Sequence, residues 1–479
     1  MNILRAIQDS LIRRQYKRLS HALATATSRQ MLAEQDRAVL KAFHRAAREV
    51  PAYGRLLDHN GVDPREITTV DHFRQKVPIL DKKSVFASHE LRDLCVGGSI
   101  DDISLFYSSS GHSKSFSFGV ETWADAGRLA LETEFALQEI FQALDRKTLL
   151  INALPMGVRI YTRTVPQAQT SVRSDVILAL IEKLRGDFDQ FILIAEHLFL
   201  KKVIEDGVEQ GISWKDLNVH VLTGAEYIAE NFRTYLAALL GVDFDRPETG
   251  TIIINFGLSE LSPSIFRENI QTLRLRRLIH DNPDLCKALC GWEAPICPTV
   301  MQLSPGQCYA EAIPGPEGRS ELVVTVLSQA RKMPIIRYNT GDVVELLAYD
   351  EFATILADFD LGSLIPPCPL PIALIWGKLQ TLQTPQNQKI YSESVKEALY
   401  SVPPVAQRMT GAFRLQNGDD APELLLQLKP GVADLDAFLP DLEDSLRRFS
   451  CEPLQVRTYP YANFPCDGAG DFESKNRYL

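Results

Sequence analysis

Between residues 149 and 255 the chain alternates short apolar runs with helical stretches. That rhythm constrains its fold more than any other feature. Leu149-Leu150-Ile151 reads as a short buried strand ending at Pro155-Met156-Gly157. Phe191–Ala195 is strand-like and is followed by a helical stretch to about Gln210. Val219–Leu222 is followed by one from about Ala229 to Leu240, and Ile252–Asn255 closes the series. Strand and helix in alternation predict a mostly parallel sheet with helices on its faces.

The pattern differs on both sides of this stretch. The N-terminal part reads as helical to about Glu49, breaks at Val50-Pro51-Ala52-Tyr53-Gly54, and resumes over Gly54–Asn60. Thr69 looks like the cap of another helix. Ile103–Tyr107 and Ser115–Phe118 read as two strands around a polar loop. Between Gln302 and Leu347, Pro and Gly split short β segments (Glu321–Leu327, Ile335–Tyr338 and Val343–Leu347), which predicts a small β subdomain. A proline-rich stretch, Ile365–Pro371, leads to a tail with one helix (Ser392–Tyr400) and one strand (Leu424–Leu428), the pattern of a small α+β domain. The expected class is α/β. A large N-terminal domain, residues 1–375, carries mostly parallel sheets, helices and the β subdomain, and a small mobile α+β domain spans 376–479. A length of 479 residues suits at least two domains of roughly 150 residues each.

Composition excludes several function classes. With 45% hydrophobic and 23% charged residues, the chain is neither disordered nor collagen-like. A net charge of −10 and a pI near 5.5 argue against a nucleic-acid-binding face. The apolar runs fall short of the ~18 residues of a membrane span. Met1–Ser20 forms a basic amphipathic helix, read as packed on the body in preference to a targeting segment. Eight cysteines without a CxxC pair suit reduced thiols and a cytoplasmic location.

Five segments carry candidate chemistry. The loop Tyr107–Lys114 holds three consecutive serines, Gly111, His112, Ser113 and Lys114 between two strands. Such a turn can aim N–H groups, hydroxyls and a cation at phosphate oxygens, though most serine-rich hairpins are only turns. Thr223-Gly224-Ala225-Glu226 and Asn255-Phe256-Gly257-Leu258-Ser259-Glu260 each follow a strand directly, where ligands of open α/β sheets bind. A carboxylate there can hold Mg²⁺ against phosphates; the plainer reading is a pair of surface acids in turns. Asp342, after Gly341 in the segment Pro334–Asp342, is shaped to accept two hydrogen bonds from a ribose diol, or simply closes a β-turn. Lys475, four positions from the end, could reach a site from a mobile domain or sit in a solvated tail.

Taken in order, these segments resemble adenylate-forming enzymes, in particular the phenylacetate–coenzyme A ligase branch of the acyl-CoA synthetase-like superfamily. The resemblance starts at Val50-Pro51-Ala52-Tyr53 and Val77-Pro78-Ile79-Leu80-Asp81-Lys82. It continues through Ser109-Ser110-Gly111, Gly224-Ala225-Glu226, Phe256–Glu260 and Arg337–Asp342, and it weakens after about residue 376. It implies that Ser109, Ser110, Gly111, Ser113 and Lys114 hold ATP phosphates and that Gly224, Ala225 and Glu226 lie near the adenine. Asn255, Phe256, Gly257 and Ser259 would flank the adenine, Glu260 would carry Mg²⁺, and Asp342 would take the ribose hydroxyls. Lys378 stands where the family has an arginine before its hinge. Lys475 would be the C-terminal lysine that steadies the carboxylate and the leaving pyrophosphate. A carboxylate attacking ATP joins two anions, so catalysis rests on positioning and on cations placed where charge develops.

The implied reaction adenylates a small aryl or acyl carboxylic acid and passes the acyl group to a thiol, with coenzyme A the first choice. A carrier-protein thiol or an amine is the alternative acceptor, and a non-catalytic nucleotide-binding protein is the alternative class. Self-association as a homodimer is left open. Two departures stand out. The usual Thr-Thr-Gly is His112-Ser113-Lys114, and the acidic pair expected after the hinge glycine is replaced by Leu379-Gln380-Thr381 following Lys378. His280, Cys286, Cys290, Cys297 and Cys308 are spaced too irregularly for a zinc site and read as buried thiols. Cys466 reads as an inert thiol, and Trp123 and Tyr161 as core aromatics more readily than as acyl-pocket walls.

Overall fold

The computed structural model describes residues 3–108, 117–155, 158–224, 226–258, 262–304, 306–419, 421–450, 453–465, 472 and 478–479. The chain forms two compact units. The first comprises Met1–Asp145, Ile160–Val165 and Asn255–Gly377; the second comprises Arg146–Arg159, Pro166–Ile254 and Lys378–Leu479.

The first unit begins with helices α1 (Ile3–Thr25), α2 (Ser28–Glu49), α3 (Pro51–His59) and α4 (Val70–Lys76). α2 starts in a capping box made by Thr27 and Gln30. It buries Val39, Ala42, Phe43 and Ala46, the three-to-four spacing of a single helical face. α3 starts at Pro51, earlier than the sequence suggests, because proline is tolerated in a first helical turn. These faces form a core with Phe73, Tyr309, Leu327 and Ile336. An antiparallel hairpin follows, β1 (Ile103–Ser108) and β2 (Phe118–Thr122), with Tyr107 opposite Gly119. The Tyr107 ring lies over Gly119, so a Cβ at that glycine would stand 2.0 Å from it. Asp125 caps α5 (Trp123–Phe141) by accepting from the Thr122 amide at 2.9 Å.

The second unit holds β3 (Thr148–Asn152), β4 (Gln167–Gln169), α6 (Ser174–Leu184), β5 (Gln190–Ile194), α7 (His197–Glu209), β6 (Val219–Thr223) and α8 (Glu230–Leu240). β7 (Gly250–Leu258) starts here. The strands are parallel in the order β4-β3-β5-β6-β7, as the strand–helix rhythm predicts. Every residue of β3 and β5 is buried, which explains why they read as continuous apolar runs.

From Asn255 onward β7 belongs to the first unit, where β8 (Ser262–Arg267), α9 (Ile270–Asp281), α10 (Pro283–Cys290), β9 (Thr299–Leu303), β10 (Cys308–Pro314), β11 (Ser320–Val326), β12 (Tyr338–Leu347), α11 (Tyr349–Asp358) and β13 (Ile372–Gly377) follow. Its strands pair antiparallel in the order β7-β8-β9-β13-β12-β11-β10. The expected strand at Ile335–Tyr338 is a correction: the strand starts only at Tyr338 and runs unbroken to Leu347. Arg337, at φ 45°, sits in the left-handed region and turns the chain just before it. The Arg337 guanidinium donates to Glu311 at 2.9 Å and to the carbonyl of Arg74 at 2.7 Å, which holds that turn in place.

The closing segment of the second unit comprises β14 (Thr381–Gln383), β15 (Lys389–Tyr391), α12 (Ser392–Ser401), α13 (Pro403–Arg408), β16 (Met409–Asn417), β17 (Pro422–Leu428), α14 (Leu439–Ser450) and β18 (Gln455–Tyr459). β17 pairs antiparallel with β16 and parallel with β18, giving the expected α+β pattern. α12 is buried from Ser392 to Tyr400 and packs on α8 and α14. Buried Lys201 of α7 donates to Glu205 at 2.8 Å and to the Met409 carbonyl at 2.7 Å. Among the described residues no helix is long and apolar enough to cross a membrane.

Candidate functional site

In the second unit two loops leave the carboxyl ends of adjacent parallel strands, so chain topology alone puts them side by side. After β5 come Ala195, Glu196 and His197; after β6 come Gly224 and Glu226. Glu196 caps α7: its Oε2 accepts from the amides of Leu198 at 2.9 Å and Phe199 at 3.1 Å. That leaves Oε1 against Nδ1 of His197, and the same Nδ1 lies 3.8 Å from Glu226 Oε1. Glu226 presents its other oxygen to Lys396 of α12, which donates at 2.6 Å. The Lys396 ammonium also lies 4.1 Å from the centre of the Tyr478 ring. Among the described residues, Glu196, His197 and Glu226 are the His, Cys, Asp or Glu groups that could share an ion, their ligand atoms all within 4.8 Å of one another.

Beside this cluster Glu397 acts as the cap of α8. Ala229, at the head of that helix, offers no side-chain acceptor. Glu397 accepts instead from the amides of Glu230 at 2.8 Å and Asn231 at 2.9 Å. Burial and then the nearby carboxylates raise the Tyr478 and Tyr400 hydroxyls well above the usual phenol range; Glu226 and Glu196 act on both. Both tyrosines therefore stay protonated.

In the first unit Asn255 and Phe256 lie on β7 where it pairs with β8. Asn255 Oδ1 accepts from Ser264 at 2.8 Å, and the Phe256 and Phe266 ring centres are 6.1 Å apart. The pairing shifts register between Phe256 and Leu258, so Gly257 sits at an irregularity. Asp342 is buried on β12 just after Gly341, whose φ of 72° accompanies a shift in the pairing with β11, a bulge inside the unbroken strand in place of the tight turn expected there. Asp342 donates its amide to Thr340 Oγ1 at 3.1 Å. A Cβ on Gly377 would come within 3.9 Å of Asp342 Oδ1, so the last residue of β13 flanks this carboxylate. Lys378 is exposed, one residue beyond.

Ser109, Ser110, Gly111, His112, Ser113, Lys114, Ala225, Ser259, Glu260, Cys466 and Lys475 lie outside the described residues. Tyr161 donates to Glu121 at 2.6 Å, and burial, against that hydrogen bond, raises the Glu121 carboxyl. Trp123 is 80% exposed, contrary to a core role. In the cysteine stretch, Cys286 and Cys290 are buried with sulfurs 3.9 Å apart, and burial pushes Cys308 up to about 12. A pocket of about 260 Å³ between Ile181, Arg185, Ile212 and Asp216 opens at the amino ends of β5 and β6. That edge lies opposite the motif loops, so the pocket is no part of the candidate site.

Sequence reasoning missed Glu196, His197, Lys396 and Glu397. The first two follow a predicted strand directly and could have been found by applying the strand-end rule to every strand. Lys396 and Glu397 carry no local signal, because their roles depend on where α12 packs.

No family model and no curated protein matches the sequence. The fold matches solved structures of 2-hydroxyisobutyryl-CoA ligase. One, in the postadenylation state with 2-HIB-AMP, is 14% identical, with TM-score 0.66, over 93% of this chain and 89% of that one. Another, with R3-HIB-AMP, is 15% identical with TM-score 0.64 over the same shares. An open conformation with 2-HIB-AMP and CoA is 15% identical with TM-score 0.53, over 93% of this chain and 91% of that one. The chain has the fold of these adenylate-forming CoA ligases.

Proposed function

We propose that the protein is an ATP- and Mg²⁺-dependent ligase that adenylates a small carboxylic acid and transfers the acyl group to a thiol, with coenzyme A as acceptor. The observation that carries this reading is the fold, matched over 93% of the chain, combined with the order of the motif loops along it. In this reading Ser109, Ser110, Gly111, Ser113 and Lys114 hold the phosphates, and Glu260 and Lys475 offset charge at the reacting centre. Mg²⁺, held through Glu260, screens the ATP phosphates. Asn255, Phe256, Gly257 and Ser259 border the adenine, and Asp342 takes the ribose. Because Lys396 engages the Glu226 carboxylate, the loop contributes to the adenine site through the backbone of Gly224 and Ala225.

Residues 376–479 serve as the cap that delivers Lys475. Gly377, at φ 72°, is a backbone point suited to the pivot, beside Lys378. Turning that segment requires breaking the Lys396–Glu226 pair and the bonds from Glu397 to the head of α8. This linkage, with the replacement of the usual acidic pair after the hinge, favours a second reading in which the acyl-adenylate is passed to an amine or carrier thiol without full rotation. His112-Ser113-Lys114 is the feature that favours a non-catalytic nucleotide binder.

Pyrophosphate release with ATP, Mg²⁺ and a panel of 2-hydroxy, aryl and fatty acids separates these readings. The proposal expects at least one acid to stimulate release and coenzyme A to consume the adenylate. Bound ATP with no acid-stimulated release refutes the ligase reading. Unchanged adenylation by Lys475→Ala removes that lysine from the centre.

A further inference from the structure

We propose that Glu196, His197 and Glu226 form a divalent-cation site in the second unit, built for zinc and separate from the nucleotide's magnesium. Two facts carry this. The three ligand atoms converge from the carboxyl ends of neighbouring strands to within 4.8 Å of one another. His197 is 3% exposed, and its Nδ1 and the facing Glu196 Oε1 have no hydrogen-bond partner although they touch. Buried polar atoms are almost always paired, so an imidazole nitrogen and a carboxylate oxygen that face each other without a hydrogen bond, each able to offer a lone pair, point to a cation that both can bind.

The donor chemistry selects the ion. One imidazole and two carboxylate oxygens suit zinc, whereas magnesium prefers octahedral oxygen ligands and keeps several waters. Tetrahedral ligands about 2.1 Å from zinc lie roughly 3.4 Å apart. The separation of 3.8 Å between His197 Nδ1 and Glu226 Oε1 is close to that. The contact between Glu196 and His197 is tighter, so binding opens it by a small side-chain rotation. The surroundings fit as well. Lys396 fixes Glu226 through the oxygen that faces away from His197, and the α7 amides fix Glu196 through Oε2, so one oxygen of each acid stays directed at the cluster. The buried Glu196 and part-buried Glu226 carboxylates beside the Lys396 ammonium also leave negative charge that a dication neutralises. The ion joins the head of α7 to the loop after β6. Because the site needs neither ATP nor an acid, it stands or falls apart from the ligase reading.

The test uses the full chain, stripped with a chelator, supplied with zinc in the absence of nucleotide, and dialysed. The wild type is expected to keep about one zinc per chain and to lose it, with at least a tenfold fall in affinity, in the Glu196→Gln, His197→Gln double variant. A Cys286→Ser, Cys290→Ser variant is expected to keep it. Cobalt substituted into the wild type should give visible d–d bands without a thiolate charge-transfer band, which decides the matter even where the double variant does not fold. Failure to retain zinc, equal retention by the double variant, loss in the cysteine variant, or a thiolate band overturns the proposal.

Discussion

Removal of the Glu397 carboxylate should destabilise the second unit by uncapping α8, whose first residue, Glu230, lies 167 positions away in sequence but adjacent in space. Ala229 provides no cap, so the first amides of α8 depend on Glu397, which is 4% exposed. Two bonds from amides to a charged acceptor contribute roughly 1.5–3 kcal/mol each. The positive end of the helix adds up to ~2 kcal/mol. Against this stands the cost of keeping the carboxylate out of water, several kcal/mol. We expect Glu397→Ala to cost about 3 kcal/mol net, which lowers the melting temperature of a unit this size by about 6–12 °C. Glu397→Gln should not rescue it, since the amide nitrogen would face an N–H donor. Urea unfolding gives the free energy, and amide hydrogen exchange at Glu230 and Asn231 gives the location. A change below about 0.5 kcal/mol, a neutral Gln variant, or unchanged exchange at those amides would refute the capping argument.

Other outcomes follow from the same geometry. Burial, aided by the Arg146 charge, holds His220 down to about 3, while an unfolded histidine titrates near 6.5. Below that upper value the unfolded chain binds a proton that the folded one refuses, so stability falls as pH drops toward 3, by at most ~1.4 kcal/mol per unit. Urea midpoints at neutral and acid pH should show a shallower fall in His220→Gln; identical slopes would exclude His220 as a source. Gly119→Val drives a side chain into the Tyr107 ring and distorts the β1–β2 hairpin; on the proposed reading it should weaken ATP binding about tenfold, or ~1.4 kcal/mol. Titration calorimetry checks this. Phe43→Ala opens the core of the first unit and should cost ~3–5 kcal/mol in denaturant unfolding.

The readable parts of the chain were those with local causes. β3 and β5 announced themselves because burial on both faces favours continuous apolar runs, and β6 and β7 through their place in the strand–helix rhythm. Thr69, whose side chain accepts from the His72 amide, and Pro51 in the first turn of α3 marked helix starts, whereas Gly54 lies inside α3. The start of β12 was misread because Ile335 and Ile336 are apolar without being in a strand; they fill the core while Arg337 turns the chain. Trp123 was misjudged for the converse reason, an aromatic left in water at the first turn of α5.

By itself the sequence determined the α/β class, the order of the elements and the loops that follow the strands, because periodicity and turn residues act over a few neighbouring positions. Only the tertiary structure decided that Glu226 meets a lysine 170 residues away, that Glu397 caps a helix to which it is not joined, and that Glu196 and His197 face the same point. Those contacts depend on the parallel pairing of β5 with β6 and on the packing of α12 against α8, which no local pattern of residues encodes.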